Sequence, residues 1–159
     1  MSTFDEDLIL LGVEADDAEA VLFQLADLLH SRGFVKESFR AAVLEREKQH
    51  PTGLPSEGVY VAIPHADPVH VNQSAIAVAT LKKPVSFAMM GNPEVSIDVK
   101  IVVMLAIHNP AEHLQLLRNF MKLFQDKDLL VAISEAATKR DVYERLRESG
   151  VVGTLPINS

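Results

Sequence analysis

Between Asp16 and Arg32 the apolar residues Ala18, Val21, Leu22, Leu25, Leu28 and Leu29 recur at three- and four-residue spacing, the period of a helix with one buried face. Asp16 and Asp17 in front and Gly33 behind supply start and stop signals, so this stretch is predicted to be an amphipathic helix. A second helix is predicted from about Lys36 to Lys48, with Phe39, Ala42 and Val43 on its apolar stripe. Arg46 takes the next position on that stripe, which turns it inward or to the rim of the helix.

After a loop from Pro51 to Gly58 the period changes. Val59 to Ile63, Ala75 to Leu81 and Val99 to Ile107 are apolar at nearly every position and rich in Val, Ile and Ala, the pattern of strands covered on both faces. Gly91, Asn92 and Pro93 make a turn after Phe87 to Met90, which adds a short antiparallel or edge strand. The third helix opens with Asn109 as N-cap, Pro110 in its first position and Glu112 where a capping box needs it, and continues to about Gln125. Leu114, Leu117, Met121 and Phe124 form its main stripe, widened by Leu116, Phe120 and Leu123. Shorter helices follow near Asp128 to Glu135 and Thr138 to Ser149, with a frayed tail expected from Gly150. The expected fold is α/β, a mixed, mostly buried central sheet with helices on both faces.

At 159 residues with 48% hydrophobic content the chain matches one domain with an ample core, and no linker or repeat divides it. Cysteine is absent, which excludes disulfide scaffolds, Cys-based zinc sites and thiol catalysis. A formal charge of -7 is opposite in sign to the footprint of a nucleic-acid or anionic-membrane binder. Met1 to Asp7 is acidic, without the basic-then-apolar order of a signal peptide, and no apolar run approaches the roughly 20 residues that span a bilayer. These features point to a cytoplasmic protein without direct membrane insertion.

The chemical resource is histidine. His65 follows the strand Val59 to Ile63 through Pro64, and in open α/β sheets ligands collect at the carboxyl ends of strands. A neutral imidazole there serves as nucleophile or base at pH 7, or else simply caps the strand end. His65, Asp67 and His70 spell H-x-D-x-x-H, a weak divalent-metal pattern that Pro68 interrupts. Asp67 could instead hold a His65 nitrogen or terminate the turn. His113 falls in the first turn of the capped third helix, where the dipole disfavours protonation and favours anions; the alternative is a ring packed against the preceding strand. Arg46 could equally be a carboxylate-paired arginine with a packed stem. His30, His50, His70 and His108 read as surface or capping residues. No P-loop, G-x-G-x-x-G, G-x-S-x-G or H-E-x-x-H is present.

Taken in order, LEREK at Leu44 to Lys48, Pro51-Thr52-Gly53, IPHAD at Ile63 to Asp67, Phe87 with Met90-Gly91, VVMLA at Val102 to Ala106 and EHLQLL from Glu112 make a specific set. It resembles the enzyme IIA domain of the phosphoenolpyruvate-dependent sugar phosphotransferase system, in the fructose/mannitol superfamily, most of all its galactitol-type branch. The resemblance covers Leu8 to Leu146 and implies that residues 1 to 159 form one type-2 EIIA domain with its core at about 8 to 146. It also implies that His65 is the phosphoryl acceptor, His113 a hydrogen-bond donor to the phosphoryl group and Arg46 the group that offsets its charge. The family pattern often has glycine after the active histidine, where this sequence has Ala66.

The implied activity is that of a phosphocarrier, taking a phosphoryl group from phospho-HPr and passing it to a cysteine of enzyme IIB, partner of the membrane component IIC, for uptake of galactitol or a related polyol or sugar. No cofactor, nucleotide or metal enters that step. The rival within the same superfamily is a regulatory protein that binds targets according to phosphorylation state. A remoter one is a metal-dependent hydrolase built on His65, Asp67 and His70.

Overall fold

The computed structural model describes residues 4–152. Its order is β1 (Ile9–Val13), α1 (Ala18–Ser31), α2 (Phe39–Gln49), β2 (Gly53–Leu54), β3 (Tyr60–Ala62), β4 (Ala75–Met89), β5 (Asn92–Ala106), α3 (Pro110–Leu123), α4 (Lys127–Glu135) and α5 (Lys139–Glu148). The sheet is mixed: β4 lies parallel to β1 and antiparallel to β5, while β3 is parallel to β5 and antiparallel to β2. The far end of β4 returns to β2, with Met89 opposite Gly53.

Consecutive apolar positions in the strands serve two cores. Ala75, Ala77, Ala79, Val102, Met104 and Ala106 face α1 and α2 through residues such as Leu25, Leu29, Phe39 and Val43. Ile76, Val78, Ile101, Val103 and Leu105 face α3, α4 and α5 through Leu116, Phe120, Leu130, Ile133, Val142 and Leu146. Small residues on one side and branched ones on the other explain why no two-residue alternation shows in the sequence. Helices therefore cover both faces, as expected.

Several expectations need correction. Neither β1 nor β2 was anticipated, and β2 lies inside the stretch expected to be a loop. The expected strand segments at Ala75 to Leu81 and Phe87 to Met90 join into one strand, β4, that ends at Met89. The turn is Met90-Gly91, with Asn92 and Pro93 already in β5, and the β4–β5 pairing is irregular between Thr80 and Val85. Lys100 Nζ donates to the Leu81 and Lys82 carbonyls at 2.6 and 3.1 Å, satisfying backbone oxygens at that irregularity. On α3 the expected widening residues Leu116, Phe120 and Leu123 are buried. Of the expected main stripe, Phe124 is buried and Leu117 packs against the core, whereas Leu114 and Met121 are 49% and 38% exposed. This helix carries two apolar stripes and has one sheet face to cover. Its N-cap forms as expected, with Asn109 Oδ1 accepting from the Ala111 and Glu112 amides at 2.9 and 3.3 Å. Val151 is buried and not frayed; the tail beyond Val152 lies outside the described residues. No helix among the described residues is long and apolar enough to cross a membrane.

Candidate functional site

His65 sits where β3 has just ended. The register that pairs Gly53 with Ala62 would next bring Thr52 opposite Ile63, and there the side-chain oxygen of Thr52 accepts from Ile63 N–H at 3.2 Å. On the β5 side, Leu105 N–H donates to the Pro64 carbonyl at 3.0 Å, and His65 forms a parallel bridge with Leu105. Between these two anchors the Ile63 carbonyl lies 2.9 Å from His65 Nδ1. A carbonyl can only accept, so Nδ1 carries the proton and Nε2 holds the lone pair.

Two helices reach this ring from opposite faces of the sheet. His113, in the first turn of α3, brings its ring centroid to 4.7 Å from that of His65 at an interplanar angle of 58°. Arg46, in the last turn of α2, places Nη1 3.8 Å from Asp67 Oδ1, with 38% of its side chain exposed. Its Nε is inside and, among the described residues, is the one buried side-chain nitrogen or oxygen without a hydrogen-bond partner. Such a donor calls for an acceptor.

The electrostatics keep both rings neutral. Burial pulls His65 down to about 4, against the Ile63 carbonyl, which favours the protonated ring; His113 and Arg46 push it lower and Asp67 opposes them weakly. His113 is also lowered, by burial and then by Arg46. The expected direction holds for His113, with burial as the leading cause in place of the helix dipole. A neutral nucleophilic nitrogen, a neutral ring able to donate and a permanent cation with a free N–H form a site for an anionic electrophile.

Residues 2–149 match the family described as phosphoenolpyruvate-dependent sugar phosphotransferase system, EIIA 2. The chain belongs to this family. It is 28% identical over 131 residues to the galactitol-specific EIIA component of Escherichia coli K12, covering 80% of this chain and 87% of the relative. It is 38% identical over 100 residues to the transcriptional regulator ManR of Bacillus subtilis, covering 63% of this chain and 14% of the regulator. The Escherichia coli mannitol enzyme IIA, solved in complex with phosphorylated enzyme IIB, superposes with a TM-score of 0.75 at 21% identity, covering 91% of this chain and 99% of that one.

In this EIIA domain Asp67 does not hold a His65 nitrogen; the Ile63 carbonyl does. The H-x-D-x-x-H residues do not converge either, because His70 Nδ1 pairs with Ser38 Oγ at 2.8 Å while Asp67 faces Arg46. Among the described residues no three His, Cys, Asp or Glu side chains come together as a metal site. Ala66 is buried with an ordinary backbone, since every positive φ among the described residues belongs to a glycine. Gly53 is required by space: a Cβ there would meet the Ala88 carbonyl oxygen at 2.6 Å. Sequence reasoning gave Glu47 and Thr52 no role, although both lie in the quoted LEREK and Pro-Thr-Gly segments. Glu47 accepts twice from Thr52, at 2.8 Å from N–H and 2.8 Å from Oγ1–H.

Proposed function

We propose that this EIIA domain is a phosphocarrier whose acceptor is Nε2 of His65. The lone pair of Nε2 attacks the phosphorus of phosphohistidine on HPr; the new N–P bond forms as the donor N–P bond breaks, and the electron pair returns to the donor imidazole. In the second step a cysteine thiolate of enzyme IIB attacks the same phosphorus and His65 leaves as a neutral ring. Arg46 offsets the phosphoryl charge, and His113 donates a hydrogen bond to a phosphoryl oxygen. Alignment and charge stabilisation suffice for this chemistry. The observation that carries the reading is the combination of a histidine fixed as the Nδ1–H tautomer with a buried arginine N–H that lacks an acceptor.

Galactitol or a related polyol is the proposed sugar, supported by the 28% identity to the galactitol-specific component; IIC, which handles the sugar, would set that choice. Exposed Val69 and Leu114, each close in sequence to a site histidine, offer apolar contact for the partners' docking. Incubation with phosphoenolpyruvate, enzyme I and HPr is expected to give an acid-labile, alkali-stable phosphoprotein. Equal labelling of His65→Gln would overturn the assignment. The 38% identity to part of ManR supports a second reading, regulation by phosphorylation-dependent binding. Transfer onward to an EIIB cysteine separates the two: a phosphoprotein that no EIIB encoded beside it discharges would favour regulation.

A further inference from the structure

Glu47 is a half-buried acid for which the transfer steps above have no use. Burial pushes its carboxyl up to about 7, although both hydrogen bonds from Thr52 and the charge of Arg46 act to lower it. An apolar residue would fill this place at less cost to stability, so the carboxyl needs a reason. Its contacts supply one. Thr52 is itself buried, and its single hydroxyl proton goes to Glu47 Oε1. While Glu47 is ionised it can only accept, so the hydroxyl oxygen is left to accept from Ile63 N–H and every bond in the chain has one direction. With Leu105 N–H holding the Pro64 carbonyl from the other side, the Ile63 carbonyl between these anchors has one orientation, the one that receives His65 Nδ1–H.

We propose that Glu47 and Thr52 are positioning residues for His65, a hydrogen-bonded chain from α2 through Thr52 and the Ile63 backbone that holds the imidazole as the Nδ1–H tautomer and keeps Nε2 free to accept a phosphoryl group. This rests on the phosphocarrier reading, and it assigns a function to the Glu of R-E-K and the Thr of Pro-Thr-Gly. Touching neither the phosphoryl group nor the ring, they act only through Ile63.

The test uses the full chain with 15N-labelled histidine, as wild type, Thr52→Val, Thr52→Ser and Glu47→Gln. Two readouts are taken: the His65 tautomer from its ring-nitrogen resonances, and the rate of His65 labelling by phosphoramidate, a small donor from which Nε2 takes the phosphoryl group as ammonia leaves. Thr52→Val is expected to make the Nε2–H tautomer detectable and to slow labelling roughly five- to tenfold, the effect of one lost hydrogen bond. Thr52→Ser, which keeps the hydroxyl, should recover most of the rate. In Glu47→Gln an amide N–H meets one of the Thr52 donors, and the same two changes are expected at smaller size. Wild-type tautomer and rate in both Thr52→Val and Glu47→Gln would overturn the proposal, as would slower labelling with an unchanged tautomer. If Thr52→Val does not fold, Glu47→Gln decides alone. Wild type that phospho-HPr fails to label while phosphoramidate succeeds would count against the carrier reading and leave this comparison of variants intact.

Discussion

Helices α2 and α3 both end at His65, yet they bring it opposite things. From α2, which packs in the core shared with α1, comes Arg46 in the last turn, where the negative end of the helix suits a cation. From α3, on the other face of the sheet, comes His113 in the first turn, where the positive end suits a ring without charge. One helix supplies permanent charge with an unused N–H; the other supplies a neutral ring beside the first. On the phosphocarrier reading, charge compensation and hydrogen bonding would thus be carried by separate elements and could be removed separately.

The comparison depends on His65 standing between the two, so His65→Gln has the largest expected effect: labelling from phospho-HPr drops to background with both helices in place. Next is Arg46→Met, which keeps the packed stem and removes the charge. We expect a cooperative wild-type-like melt and transfer slowed by roughly two powers of ten; unchanged rates in both directions would take α2 out of the site. His113→Ala is expected to slow transfer about ten- to a hundredfold, the effect of one hydrogen bond to a charged group. NMR titration should find the His113 pKa below that of an ordinary histidine, and a value above it would break the contrast between the helices.

The smallest effect is on stability against pH. His65 has its folded pKa at about 4 against an ordinary 6.5, so the unfolded chain binds the extra proton within that window and stability falls as pH drops through it. Glu47, at about 7 against 4.5, binds its proton in the folded chain, so stability falls as pH rises. The two slopes oppose one another where the windows overlap. Relative to wild type, His65→Gln should therefore melt progressively lower as pH rises through the overlap and Glu47→Gln progressively higher, read from denaturation midpoints. Parallel profiles would contradict the assignment of both groups.

Much of this arrangement was legible because it is written locally. Asp17 and Gly33 bracket α1, Asn109 and Pro110 open α3, and Ile63-Pro64-His65 marks a strand ending in a histidine. Strand β1 was not anticipated, although Ile9 to Leu11 is an apolar run like Val59 to Ile63, cut short by Gly12; β2, with two residues, is too short to show any pattern. The buried side of α3 also escaped: Leu114 and Leu116 are equally apolar, and only the sheet decides between them. For the site, only the inward turn of Arg46 was traceable from its place on a stripe; its role was implied by the family resemblance alone. The meeting of His65 with His113 depends on long-range packing, and in the sequence only the family resemblance implied it. The Ile63 carbonyl was invisible because a backbone group leaves no mark on side-chain pattern, and for Asp67, the carboxylate nearby, holding a His65 nitrogen and ending the turn stood as alternatives.

A relay member must surrender what it accepts. On the phosphocarrier reading, the unpartnered Nε of Arg46 raises the free energy of the empty protein by about 1–3 kcal/mol, the usual cost of a buried donor left unmet. A phosphoryl oxygen that meets this N–H cancels that cost, so the loaded form is favoured beyond what an imidazole alone would give. Arg46 would then set the position of the transfer equilibrium as well as its speed, and the resting strain of one nitrogen would decide how far along the chain of carriers the phosphate comes to rest.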